Sequence, residues 1–318
     1  MKSPLYIVLL LTVILTGCGN EDKVAQEVQN IPLELRVSRF DIKFADAIAD
    51  DIPQLREEYP YLFPAPDSVW VAKLQDSLQI ELREEVKAEF IDFDKETADI
   101  ELLFKYIKYY FPKYKVPRII TVTNDVDYKN RIILADSLLL IGLDNYLGSA
   151  HKYYGGLQNY IAQDMDRDFM VSNIASAFAN KVVSGPKERT FLAQIIYFGK
   201  ILFLKDKLMP FHTDAQKITY SQDELLWAQA NEEPMWRYFI ENELLYSTDN
   251  KLSQRFLDPA PFSKFGLELD NESPGQLGRY LGWQIVRSFM NKNDISLQQL
   301  LNLSAEEIFK ESNYKPNK

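Results

Sequence analysis

The apolar residues change period part-way along this chain, and that change restricts its fold more than any other feature. Leu33-Glu34-Leu35-Arg36-Val37-Ser38-Arg39-Phe40 alternates apolar and polar side chains, the mark of a strand with one face on a core. Arg118 to Thr123, and Ile132 to Ala135 through Leu138 to Leu143, are β-branched or continuous apolar runs. They read as two or three strands, at least one buried on both faces, with Val126 to Arg131 as the turn between them. Short helices fit Asp41 to Tyr59. A helix capped by Asp67 and Ser68 carries Val69, Trp70, Leu74, Leu78 and Leu82, and another spans Thr97 to Phe111. From Asp168 onward the spacing is almost only helical: Asp168 to Val183, Glu188 to Lys207, Ser221 to Tyr246 and Pro274 to Asn291. A last short helix opens where Ser304 and Glu307 have capping-box spacing. A small N-terminal sheet followed by a mainly helical half is an α+β fold. With 12 glycines, and no Gly/Ser-rich stretch between Leu33 and Lys310, a long internal linker is not expected. Residues 31–318 read as one domain, and an apolar fraction of 46% is ample for its core.

The first residues specify an address. Met1-Lys2 is a short positive start, Leu5 to Leu15 is almost wholly apolar, and Leu15-Thr16-Gly17-Cys18 follows. Residues 1–17 read as a secretory signal, too short for a stable membrane span. The arrangement has the shape of a bacterial lipobox, in which Cys18 receives lipid and becomes the new N-terminus. The alternative is a plain cleaved signal with a leftover thiol. Cys18 is the only cysteine, so no internal disulfide can form. Several acyl chains would hold the protein firmly to a membrane, at about 0.8 kcal/mol per buried methylene. Residues 18–30 are then a polar tether. The net charge is −10, and Lys2 is the only charge lost with the leader. That acidity makes nucleic acid a poor partner and leaves the lipid as the main membrane contact. Gly19 gives no reason for inner-membrane retention, which favours the outer membrane with the body in the periplasm. Glu21 and Asp22 leave display outside the cell open.

No catalytic motif stands out. The two histidines, His151 and His212, lie in loops and share no motif, and a zinc site needs about three ordered protein ligands. No metal or cofactor is expected. There is no nucleophile elbow, P-loop or dinucleotide fingerprint. Asp125 and Asp127 sit at a strand end, where a turn cap competes with chemistry as their role. Glu232 and Glu233 read as a solvated helix bend, and Asp223-Glu224 as the charged first turn of a helix. Two stretches are unusual. Leu257-Asp258-Pro259-Ala260-Pro261-Phe262-Ser263-Lys264-Phe265 suggests a rigid segment laid on the body. In Asp270 to Trp283, Ser273 reads as a cap and Pro274 as the first helical residue, with Gly275, Gly278 and Gly282 following. Gly278 and Gly282 share a face that admits another backbone, within the fold or from outside.

Several of these runs resemble the gliding-motility lipoprotein family GldB: the lipobox, Phe111-Pro112-Lys113-Tyr114-Lys115-Val116-Pro117, Val126-Asp127-Tyr128, Pro259 to Phe265, Asp270 to Gly275 and the closing Ile308-Phe309-Lys310-Glu311-Ser312. The resemblance spans nearly the whole mature chain. It implies an envelope lipoprotein needed for gliding, linked to a trans-envelope machine and to protein secretion, with no enzymatic activity. A remoter resemblance is to zinc peptidases of the gluzincin type, which carry His-Glu-x-x-His on a helix after a small sheet. Ile174-Ala175-Ser176-Ala177-Phe178-Ala179-Asn180 overlays on that helix. Ser176 and Asn180 then stand at ligand positions, Ala177 at the general-base position and Phe198 at that of a ligating Glu. This implies a degenerate zincin-like fold without its metal. The alternative is an ordinary amphipathic helix with an apolar stripe of Val171, Ile174, Phe178 and Val182. Together these expectations describe a non-catalytic, lipid-anchored component acting through contacts with gliding or secretion proteins. Candidate contacts are Tyr109, Tyr110, Tyr153, Tyr154, Pro259, Pro261, Phe262 and Phe265. An envelope hydrolase using Asp125 and Asp127 or Glu232 and Glu233, and a chaperone-like assembly lipoprotein, are the alternatives.

Overall fold

Three isoleucines set the centre of the molecule. Ile119, Ile120 and Ile141 are fully buried in neighbouring strands of a four-stranded sheet of order β1-β2-β4-β3. The computed structural model describes residues 20–266 and 270–317; the leader and Cys18 lie outside them. Strand β1 (Val37–Arg39) runs parallel to β2 (Arg118–Val122), and β2 parallel to β4 (Leu138–Gly142). Strand β3 (Ile132–Leu134) is the antiparallel edge, with Ile133 opposite Leu140. Alternation sends Ile119, Leu139 and Ile141 into the main core and Ile120 into a second cluster with Phe40, Phe44, Tyr59 and Phe63. The sheet is thus covered on both faces, as its continuous apolar runs require. The α+β class read from the sequence is what the chain adopts.

Strand β1 is shorter than the alternating run. Arg39 forks onto Asp41 (2.7 and 3.0 Å) and donates to the Phe90 carbonyl, which turns the chain into α2 (Phe40–Ala45). Helix α3 is Ile52–Glu58. The helix expected from Asp67 to Leu82 is two, α4 (Asp67–Gln75) and α5 (Ser77–Glu89). Asp76 breaks it by accepting from the Gln79 amide, and Arg83 donates to the orphan carbonyls of Lys73 and Leu74. Helix α6 (Asp94–Tyr110) carries Ile100, Leu103, Phe104 and Ile107 inward. The stretch read as a tether is instead largely helical: α1 (Asn20–Gln29) lies along α6. Val28 is fully buried, and the Tyr109 hydroxyl donates to Glu27 at 3.0 Å.

After the sheet come α7 (Asn159–Ala162) and α8 (Met170–Val182), the latter packed on β3 and on α9 (Phe191–Leu208). Helix α9 is apolar nearly all round and therefore central. Around it lie α10 (Asp214–Ile218), α11 (Gln222–Ala230), α12 (Glu232–Glu241), α13 (Lys251–Phe256), α14 (Leu277–Lys292), α15 (Leu297–Asn302) and α16 (Ala305–Ser312). The long helix expected over Ser221 to Tyr246 breaks at Asn231. The glycine face of α14 is an internal contact. A Cβ on Gly282 would lie 1.9 Å from the Ile195 carbonyl oxygen, and one on Gly199 would lie 2.2 Å from that of Gly282. Helix α14 starts later than the sequence suggested, because Gln276 is left-handed (φ 60°) and Pro274 precedes that turn. Ser304 and Glu307 do form the expected capping box.

Candidate functional site

The seam between α8 and α9 holds the positions singled out by the zincin overlay. Ser176 is half-buried; its hydroxyl donates to the Ser172 carbonyl (2.9 Å) and accepts from the Lys205 ammonium (3.0 Å). Lys205 is 2% exposed, and burial pushes its amine down to about 7, with the nearby Asp164 carboxylate opposing. Ala177 offers no polar atom. The Asn180 side-chain oxygen Oδ1 accepts from the Tyr197 hydroxyl at 3.5 Å. The ring of Phe198 carries the Arg279 guanidinium 4.1 Å from its centre. These residues do not fit zinc. The metal needs several neutral or anionic donors turned to one point, and here a hydroxyl is tied to a carbonyl and capped by a lysine amine. Among the described residues no three His, Cys, Asp or Glu side chains are placed to share an ion. His151 lies 3.6 Å from Glu85. His212 is half-buried on another part of the fold, with burial pushing its ring down to about 4.

A crevice of ≈ 140 Å³ opens nearby, between the sheet half and the helical half. Its floor is the Arg131–Asp164 fork (2.9 and 2.5 Å), which closes on itself as a bidentate pair. Its far wall is built by the two unusual stretches. The Tyr220 hydroxyl donates to the Gly275 carbonyl, and Gly275 must be glycine because a Cβ there would lie 2.3 Å from the Ala260 oxygen. Thr219 and Gln276, both on the rim, have φ near +60°. A second strained pair, Asp125 and Val126, is pinned by Asp144. That carboxylate accepts from the Asn124 (3.0 Å) and Val126 (2.7 Å) amides, and burial raises it to about 6.

The carboxylates considered for chemistry are occupied elsewhere. Asp125 holds Lys73 and Gln79, and Asp127 accepts from Asn130. Glu224 closes a capping box with Ser221. Glu233 pairs with Arg237, whereas Glu232 is no solvated bend: it is 1% exposed and accepts from Tyr280, Tyr314 and Asn317. Of the expected contact residues, Pro259 and Pro261 are exposed and Phe262 is half-buried. Phe265 is largely buried, its ring 5.1 Å from those of Tyr238 and Phe256. Tyr154 is buried too, donating to the Asp144 carbonyl, while Tyr109, Tyr110 and Tyr153 are half-buried. Lys205, Arg131, Asp164 and Asp144 were not foreseen. For Lys205 a signal existed, since a lysine inside a helix apolar all round has no solvent face to occupy.

Known proteins bear on this arrangement through one family. The family described as gliding motility protein GldB matches residues 21–316, so the chain belongs to it. Membership implies a part in gliding motility, and the family's designation as lipoproteins implies a place in the cell envelope. Neither the curated proteins nor the solved structures gave a match.

Proposed function

We propose that this member of the GldB family does no chemistry of its own. It is a scaffold lipid-anchored through Cys18 to the outer membrane, facing the periplasm, and it acts by contacts with other gliding or secretion proteins. One observation carries the reading: the Lys205 ammonium rests on Ser176, where a hydrolytic relative would present a metal ligand. The lysine amine fills that place and the hydroxyl is already tied to a backbone carbonyl, so no open set of donors is presented to a metal. The carboxylates offered for an alternative mechanism support the same reading, since each is bound into a cap, an ion pair or a buried network.

The test replaces both polar partners at once. Ser176→Ala with Lys205→Met removes the pair without orphaning either group, a change expected to be nearly neutral for stability. Expressed at wild-type abundance in a strain lacking the native copy, this double variant should restore gliding fully. Loss of gliding at normal abundance would refute a non-catalytic role. Crosslinked envelopes should yield motility or secretion components with the wild-type chain.

A further inference from the structure

Away from that seam, a larger cavity of ≈ 460 Å³ lies between α11, α12 and residues 263–266 and 270–273. Its walls include three aromatic side chains, Trp227, Tyr238 and Phe265. Tyr238 is fixed: its hydroxyl donates to the Phe265 carbonyl (2.6 Å) and accepts from Arg255 (2.8 Å). Three carboxylates and one cation line it. Asp270 accepts from the Gly266 amide with one carboxylate oxygen (2.7 Å), and its other oxygen is buried and has no hydrogen-bond partner among the described residues. Among the described residues, Glu241 and Glu272 have no ion pair, and the one lining cation, Arg237, is held by Glu233.

We propose that this pocket receives one basic side chain, arginine or lysine, presented by a partner protein. This rests on the reading of a contact scaffold and names the chemistry of the contact. Aromatic walls attract an organic cation through their ring faces, and the Glu241 and Glu272 carboxylates, which no described cation pairs, make the pocket electronegative. Phosphate or carboxylate ligands would meet Glu241, Asp270 and Glu272 and be repelled. A bare metal ion is disfavoured, because these carboxylates are not gathered closely enough to share one. The pocket volume suits a single long side chain with part of its backbone. Both unusual sequence stretches build it, Phe265 from one and Asp270 to Ser273 from the other.

The probe is N-acetyl-arginine amide, titrated into the full mature protein while Trp fluorescence is followed. A saturable change is expected in the millimolar range. It should be at least five-fold weaker with the neutral isostere N-acetyl-citrulline amide, five-fold weaker in Asp270→Asn, and weakened in the exposed variant Glu272→Gln, which leaves the fold alone. The change should vanish in Trp227→Phe. Equal responses to the two amides, or no saturable response, overturn the proposal. In gliding cells, a photo-crosslinker at the exposed Glu241 position should join a partner segment within a few residues of an arginine or lysine. A crosslink to a segment without one, or to no protein, overturns it as well. Failure here leaves the gliding of the Ser176→Ala, Lys205→Met double variant unaffected, so the two readings fall separately.

Discussion

Gly282→Ala tests the packing that holds the helical half together. Helices α9 and α14 make the most extensive contact in the molecule, and they touch backbone to backbone at Gly199 and Gly282. A methyl on Gly282 would lie 1.9 Å from the Ile195 carbonyl oxygen, against an ordinary contact of at least 3.4 Å. The helices must therefore part by about 1.5 Å at that point, because a main-chain carbonyl has no rotamer to escape into. Protein interiors are packed too densely to absorb this locally. Overpacking costs about 1–3 kcal/mol, and a backbone clash belongs at the upper end. Alanine returns about 1 kcal/mol through helix propensity. The net expectation is a loss of about 2 kcal/mol, read as a Tm lower by about 3 °C for a domain of this size. The assay is urea and thermal unfolding followed by circular dichroism and by the fluorescence of the buried tryptophan next in sequence, Trp283. Gly156→Ala is the control, since no atom lies within 4 Å of the Cβ it would add. Gly199→Ala should behave like Gly282→Ala, and the double variant should cost less than the two singles together, since one separation relieves both clashes. A Gly282→Ala protein as stable as wild type would refute the packing argument.

Lys205→Met should change how stability depends on pH. The folded amine titrates at about 7, below its unfolded value of 10.5, so the unfolded chain binds the extra proton between those limits. Wild-type stability therefore rises with pH from about 7 to 10.5 relative to the variant, at a slope approaching 1.4 kcal/mol per unit, and the difference levels off below 7. Urea midpoints at pH 7, 8 and 9 with parallel trends for both proteins would contradict this. Tyr314→Phe should cost about 1–2 kcal/mol, because it takes a 2.7 Å donor from the buried Glu232 carboxylate while the ring can stay 5.1 Å from that of Trp236. Hydrogen exchange in the last residues should quicken, and unchanged exchange would count against the network.

Local chemistry made much of the fold legible in the residues. The β-branched runs became strands, the Ser304–Glu307 spacing became a capping box, and Gly278 and Gly282 did mark a close approach. Long-range partners decided the rest. Nothing near Val37 announces that it pairs with Ile119, more than eighty residues away. Asp76 splits a continuous helical period only because Arg83 reaches back to the broken end. Ser273 and Pro274 look like a helix start, yet the Ala260 carbonyl crowds Gly275 and the helix opens after Gln276. The candidate seam was half legible: Ser176 and Asn180 were located, but the lysine that occupies the place came from a different helix. The acidic aromatic pocket was hidden, since its walls come from α11, α12 and the two unusual stretches at once.

Helix α1 would limit how far the proposed anchor lets the body move. A free thirteen-residue segment after the lipid would wander over roughly 20 Å. The docked helix begins at Asn20, two residues beyond Cys18, a gap that an extended chain spans in about 7 Å. If Cys18 carries the proposed lipid, the folded body begins within that distance of the leaflet. Inserting a flexible spacer between Gly19 and Asn20 would lengthen only that reach, leaving the Val28 and Tyr109 contacts in place.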